Sequence, residues 1–393
     1  MSRSQTTSTN SQPLRLGQRA SVIDASGIRR VFELGATLTD PCNFSIGQPD
    51  FPVPDRIKQA AHRAIDENHN GYTLSQGIAP LRKRIAQRLN AEFPSRSFNH
   101  DRDVLITAGT SGGMLLALQA MIDPGDEVII ADPWFVIYPA LTKLVGGVPV
   151  LLDTYPDGRM TAERIQPLLS GRTRVVMVNS PGNPSGVVLS QQEMNDIADL
   201  CDARGVLLVT DEIYDEFTYA DARENGRCPS PAGRNQRVLL IRGFGKTYGC
   251  TGWRLGYAAG PPELIDVMTR LQQYTFVCAP SMAQHGVTEA FDVDMSQQVA
   301  AYQRKRDMVF ATLSPHANIL PAGGAFYAFV EVPAKLGMSA TEFCNRAVEK
   351  NVLIIPGNVF SSRDTHFRLS YAVNDDMLTR GLAILRDMLR GRG

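Results

Sequence analysis

The chain predicts an α/β protein: a three-layer α/β/α large domain around a mostly parallel sheet, with a smaller α+β domain. Three observations carry that expectation. Short, continuous apolar runs rich in β-branched residues recur at 104–108, 127–131, 174–178, 206–209 and 238–241. A run without polar alternation suits a strand buried on both faces, in a parallel or mixed sheet covered by helices. Stretches of helical periodicity separate these runs, and after about residue 295 the pattern turns to long helices with a few short strands. At 393 residues the chain also exceeds what one small core organises.

Taken in order, 52–67 reads as a helix after the turn-rich GQPDFPVP, and 79–89 as another. The 104–108 strand runs into GTSGG at 109–113, which opens a helix to Met121. A turn at 123–126 precedes the 127–131 strand, and a helix over 138–144 ends at a Gly-Gly pair. SPGNPSG at 180–186 is a loop. The helix over 190–201 begins with Ser190 and Glu193, a capping-box spacing. Helices are expected over 262–272 and 295–313. A Gly-rich turn follows at PAGGAFYAFVEV, then a helix over 339–349, strands near 352 and 367, and a last helix over 374–390.

Composition narrows the function. Lys plus Arg equals Asp plus Glu at 40 each, which gives no support to a nucleic-acid or membrane-surface role. No apolar run approaches the ~20 residues that span a bilayer. The N-terminal MSRSQTTSTNSQ lacks a hydrophobic signal region and reads as a disordered tail, or one that contacts a partner subunit. Cysteines at 42, 201, 228, 250, 278 and 344 form neither a CxxC nor a metal-ligand cluster, so a reducing cytoplasm is the expected setting.

The residues with chemical potential fall at the carboxyl ends of the expected strands, where open sheets collect ligands. In GTSGG, exposed N–H groups at a helix start, with the Thr110 and Ser111 hydroxyls, suit a phosphate; an ordinary strand-to-helix turn is the alternative. The sequence lacks the GK[ST] ending of a P-loop, and no GxGxxG follows the first strand. Asp211 ends an apolar strand in LLVTDEIY, where a carboxylate needs a partner: a protonated ring nitrogen, a structural arginine or a helix it caps. Tyr214 lies three residues on. Asn183, between two prolines, is either an amide donor to a ring oxygen or a turn former. In IRGFGKTYGCTGWRLGY, one lysine, Lys246, sits among five glycines. Its amine can form a Schiff base with an aldehyde once deprotonated. Arg254 can lower its pKa, clamp phosphate oxygens, or do both. Phe135 or Trp134 can stack on a ring or fill the core. Arg368 suits a bidentate grip on a carboxylate or a surface ion pair. Aldehyde, pyridine partner, phenol partner and phosphate cup together describe pyridoxal 5'-phosphate.

With these motifs in hand, the chain resembles the class I/II pyridoxal-phosphate-dependent aminotransferases of the aspartate aminotransferase superfamily, fold type I, over about residues 30–390. SIGQPDFPVP, NGYTLSQGIAPLR, DPGDEV, NSPGNPSG, VTDEIY, GKTYGCTGWRLGY and FRLSYA stand in the family's order. The resemblance implies that Lys246 carries the cofactor as an internal aldimine and shuttles the proton. It implies that Asp211 keeps the pyridine nitrogen protonated, and that Asn183 and Tyr214 hold the phenolic oxygen. Arg254, Thr110 and Ser111 correspond to the phosphate positions, and Phe135 to the aromatic over the ring. Arg368 corresponds to the arginine of the substrate carboxylate, beside Gly47, and Trp134 lies where relatives vary, shaping the substrate pocket. Tyr72 matches a tyrosine that reaches the neighbouring subunit's phosphate, so a homodimer with shared active sites is expected. The implied domains are a tail over 1–30, a small domain from 31–60 and 296–393, and a cofactor-binding domain over 61–295. One departure stands out: the family's SxSK serines are Gly243 and Gly245 here, so water or Thr247 is expected to replace a hydroxyl. The implied reaction is ping-pong transamination between an L-amino acid and a 2-oxo acid. A lyase or decarboxylase on the same fold is the first alternative. A non-catalytic regulator is disfavoured, because no basic helix-turn-helix pattern precedes the motifs.

Overall fold

The computed structural model describes residues 38–391 continuously, with residues 14, 15, 17–21, 23, 27, 31 and 35. The expected tail over 1–30 therefore lies largely outside the described residues. Among them, twelve strands are numbered in chain order. β1 is Cys42–Asn43. A seven-stranded sheet takes β2 (Val104–Ala108), β3 (Glu127–Asp132), β4 (Val148–Asp153), β5 (Thr173–Asn179), β6 (Leu207–Asp211), β7 (Val238–Gly243) and β8 (Leu255–Ala259). β9 (Tyr327–Glu331), β10 (Val352–Leu353), β11 (Ile355–Pro356) and β12 (His366–Ser370) complete the set.

The large sheet runs β2-β8-β7-β6-β5-β3-β4. β4, β3, β5, β6 and β7 pair in parallel, whereas β8 lies antiparallel to both β7 and β2. The mostly parallel sheet agrees with expectation. Two of its strands were not expected. β4 carries Pro149 and half-exposed residues, which an edge strand tolerates and a buried run does not. β8, LGYAA, has too few branched residues to read as a strand, yet every residue is buried.

The helices fall close to the expected places: Asp55–Asp66, Ala79–Glu92, Gly109–Met121, Gln191–Ala203, Pro262–Thr275, Ser296–Leu313, Ala340–Glu349 and Asp375–Leu389. Ser190 caps as expected, accepting from the Glu193 N–H while the Glu193 carboxylate reaches back to the Ser190 N–H; Ser339 and Glu342 repeat the device. The Gly-rich turn at PAGGAFYAFVEV is corrected in its second half. Tyr327–Glu331 forms β9, which pairs antiparallel with β12 so that Tyr327 faces Ser370 and Phe329 faces Arg368.

Residues 42–44 return to the C-terminal region, where β1 and β10 form a two-stranded sheet of their own beside β11-β12-β9. β1 pairs in parallel with β10, Phe44 donates its N–H to the Leu353 carbonyl, and Ser370 donates to the Phe44 carbonyl. Phe44, Phe326, Phe343, Leu378, Leu382 and Leu385 share one buried cluster there. Each such side chain contributes about 1.5–3 kcal/mol on burial. This packing holds residues 45–47 against β12 and so fixes one wall of the site.

A buried ion cluster fixes the opposite wall. Successive strand residues point to opposite faces, so Glu212, next to Asp211, turns away from it. Arg242 of β7, wholly buried, donates to Glu212 Oε2 at 2.8 and 3.0 Å, and to both Glu92 oxygens at 2.7 Å. Its other neighbour is Asp215, at 3.3 Å. Glu212 also accepts from Thr210 and Ser230 at 2.9 and 2.7 Å, and burial pushes its carboxyl up to about 7. The cluster ties the ends of β6 and β7 to the Ala79–Glu92 helix. Removing its cation leaves buried carboxylates uncompensated. Arg242→Met is expected to cost about 3–5 kcal/mol of stability in urea denaturation, while Arg234→Ala, which breaks an exposed pair with Asp199, leaves the curve nearly unchanged.

Candidate active site

A cavity of about 300 Å³ opens at the carboxyl ends of β5, β6 and β7. Lys246 follows β7 and projects into it. Its amine donates to the Gly47 carbonyl and lies 5.9 and 5.8 Å from the Tyr214 and Phe326 ring centres. Burial, with the Arg368 and Arg254 guanidinium groups nearby, lowers the amine from 10.5 to about 8; Asp211 opposes the shift. Such an amine gives up its proton far more readily than an ordinary lysine, and its neutral form can attack a carbonyl carbon.

Asp211 forms the floor. Its carboxylate accepts from the Tyr138 hydroxyl at 2.8 Å and from the Ile213 N–H at 3.1 Å. Burial raises it to about 6, against the pull of these donors and of Lys246. An acid so desolvated gains from a further cation beside it. Asn179, one strand over, donates to the Asp211 carbonyl and accepts from the Asn183 N–H, at 2.9 and 2.8 Å. It thereby holds the 180–186 loop over the floor.

Arg368 closes one end. It is 1% exposed, and its guanidinium lies between the Tyr327 and Phe360 rings, 4.7 Å from each centre. Nη2 donates to the Ser45 carbonyl at 2.8 Å and Nη1 to Asn183 Oδ1 at 3.1 Å, while Nε is buried without a partner. A guanidinium held this way has spare capacity for an anion. Tyr214 and Tyr327 bring their hydroxyls together at 2.9 Å, and burial keeps the Tyr214 phenol protonated.

The other end is a cup. Thr110 and Ser111 open the helix Gly109–Met121, whose first N–H groups have no intrahelical acceptor. Arg254 sits in the left-handed region, φ 54°, and turns back over this helix start. A Cβ on Gly109 would stand 2.7 Å from Arg254 Nη2, and Gly109 itself has φ +69°. A side chain there would fill the cup. N–H groups, two hydroxyls and a guanidinium form a donor set for a phosphate.

The model for aminotransferase class I and II matches residues 39–385. The chain belongs to this family. It is 32% identical over 361 residues to the aspartate aminotransferase of Sulfurisphaera tokodaii, covering 88% of this chain and 89% of that one. It is 29% identical over 388 residues to aromatic-amino-acid aminotransferase 2 of Thermococcus litoralis, covering 96% and 99%. Among solved structures, the aspartate aminotransferase of Thermus thermophilus with maleate superposes with a TM-score of 0.89 at 28% identity, over 95% and 99% of the two chains.

This aminotransferase uses pyridoxal phosphate to move an amino group between an amino acid and a 2-oxo acid. The residues present fit the cofactor: a buried amine of lowered pKa, a desolvated acid, an open anion cup and a buried guanidinium with an unpaired N–H. Of the expected residues, Gly47, Thr110, Ser111, Phe135, Asn183, Asp211, Tyr214, Lys246, Arg254 and Arg368 line this cavity together. Two do not. Trp134 lines a smaller adjoining pocket of about 40 Å³, and its backbone N–H donates to the Phe360 carbonyl. Tyr72 is 87% exposed. The expectation for Thr247 is corrected: it lines a different cleft, with Arg88 and Glu216, and Thr251 lines the cavity instead. Gly243 has a packing reason, since a Cβ there would stand 2.8 Å from Ile213 Cδ1 and 3.1 Å from Thr110 Cγ2.

Sequence reasoning missed Tyr138, Asn179 and Tyr327. Tyr138 lies three residues after Phe135, close to one helical turn, which is the one signal that marks it. A wider cleft of about 560 Å³ lies elsewhere, but Arg159 and Arg306 on its wall are paired with Glu193, Asp221 and Asp307.

The lowered Lys246 pKa has a direct test. In cofactor-free protein, labelling of Lys246 by an amine-selective reagent, followed by mass spectrometry, should rise with pH about a midpoint near 8. Arg368→Ala removes a cation that favours the neutral amine, so the midpoint should move up, toward 10.5.

Proposed function

We propose that Lys246 is the covalent attachment point of pyridoxal phosphate and the group that moves the proton at the substrate's Cα. The observation that carries this reading is the buried amine, brought to about 8 between two guanidinium groups in a cavity that also holds Asp211. The cofactor, when bound, supplies an electron sink for the charge left at Cα. Asp211, held by Tyr138 and Ile213, keeps a proton on the pyridine nitrogen by offering it a buried carboxylate. Asn183 and Tyr214 donate to the phenolic oxygen; with Asn183 Oδ1 engaged by Arg368, its Nδ2 donors serve this purpose. Thr110, Ser111 and Arg254 hold the phosphate, and Phe135 covers the ring. Arg368 binds the α-carboxylate of the amino acid and then of the oxo acid, beside Gly47. Trp134, which lines a small adjoining pocket together with Phe135, shapes the substrate pocket.

The active unit in this reading is a homodimer in the cytoplasm. Tyr72, Leu74 and Tyr274 are 87%, 70% and 86% exposed. An apolar crevice lined by Ile65, Trp253, Pro280 and Met282 runs up to Arg254, which is itself exposed. A second copy covering this face would bury it, and Tyr72 of the partner subunit would complete the phosphate cup. Six free cysteines suit a reducing compartment. The large domain of this reading spans 61–295, with 31–60 and 296–393 forming the small one.

Mixing holoenzyme with single amino acids and following the visible cofactor band tests the assignment. Lys246→Ala should abolish both the covalent band and turnover; persistence of either rejects the lysine. Arg368→Ala should weaken capture of carboxylate substrates about 10²-fold or more, as expected for a lost charge-assisted bidentate contact, with the band retained. An unchanged dependence on amino-acid concentration rejects its role.

A further inference from the structure

We propose that Tyr327 is a positioning residue for the reaction: its hydroxyl donates to the Tyr214 oxygen and thereby turns the Tyr214 proton toward the cofactor. The inference rests on the reading that the cofactor is held at Lys246 beside Tyr214.

The two phenols are buried, their rings meet edge to face at 5.7 Å and 89°, and their oxygens lie 2.9 Å apart. Each phenol carries one proton. If Tyr214 donated to Tyr327, no proton would remain on Tyr214 for a third oxygen. The surroundings favour the other direction. The Arg368 guanidinium lies over the Tyr327 ring, 4.7 Å from its centre. A cation there withdraws electron density from the ring and makes Tyr327 the better donor of the pair. Tyr327 is also wedged against the main chain: a Cβ on Gly47, whose carbonyl accepts from Lys246, would stand 2.8 Å from the Tyr327 oxygen. The groups that face Tyr327 are therefore Tyr214, Arg368 and, across Gly47, Lys246, with Tyr302 and Tyr371 on the packed elements behind it. Among these, the short polar contact recorded for the Tyr327 hydroxyl is the one with Tyr214.

A donor hydrogen bonded to another donor is polarised and strengthened. Tyr214 then stabilises negative charge on the cofactor's phenolic oxygen more than a lone phenol would. Such a bond favours the state in which that charge is least compensated, which is the high-pH state, so weakening it raises the pH of the transition.

The test uses holoenzyme and the pH midpoint of the cofactor's visible absorbance. Tyr327→Phe keeps the ring, its place under Arg368 and its packing on Phe326. The expected result is an upward shift of about half to one pH unit, the size of one neutral hydrogen bond. Tyr214→Phe should shift the midpoint further, and adding Tyr327→Phe to it should change nothing more. Site-specific 3-fluorotyrosine at 327, a more acidic donor, should shift it downward. An unmoved midpoint in Tyr327→Phe, or equal shifts with and without Tyr214, overturns the proposal and reduces Tyr327 to packing. A wild-type holoenzyme without a borohydride-fixable band at Lys246 overturns the attachment site, and this inference with it.

Discussion

A primary amine can be buried beside two guanidinium groups only by loosening its hold on its own proton. That constraint organises this site. Lys246 is taken out of water by the Tyr214 and Phe326 rings, and its positive neighbours Arg368 and Arg254 stand at opposite ends of the cavity. Asp211 offsets part of their effect from below. Burial does most of this, and the arginines add to it; with the acid closer or the arginines absent, a smaller share of the amine would be neutral and able to act as a nucleophile or a base. The same desolvation that lowers the amine raises the acid, so burial in one cavity shifts both groups toward their neutral forms.

Holding that balance requires walls that do not shift. The sheet provides the floor, because Asp211 ends β6 and Asn179 ends β5 at matching register. The Arg242 cluster begins one residue away, at Glu212 beyond the end of β6, so a large electrostatic anchor backs the single carboxylate of Asp211. On the other side, residues 45–47 are drawn to β12 by the pairing of β1 with β10, and this brings the Ser45 and Gly47 carbonyls to Arg368 and Lys246. The wall thus joins chain segments more than 300 residues apart, and neither segment alone defines the site.

Much of this was legible in the chain because each residue at a strand end announces itself. An acid closing an apolar run and a lysine among glycines break their local patterns, and open sheets put such breaks on one edge. What stayed hidden did so for physical reasons. Tyr138 and Tyr327 are aromatic members of apolar segments, and nothing local separates a working phenol from a packed one. Tyr327 was further concealed by the glycines before it, since only pairing with β12 makes its segment a strand. β8 reads as a short stretch of small residues, and its burial comes from neighbours on both sides. Thr247 was the natural replacement for a missing hydroxyl by proximity in sequence, but the chain turns it toward another cleft and brings Thr251 around instead.

The two guanidinium groups of the cavity are divided between its ends. Among the described residues, Arg254 belongs to the helix-start cup, and Arg368 is the guanidinium at the far end. On the reading in which Arg368 grips carboxylates, donor and acceptor contend for a single berth. The incoming oxo acid can occupy it before the amino group has been handed over, and excess of either reactant then stalls the exchange. Traffic through this enzyme would follow the ratio of the two acids more closely than the abundance of either.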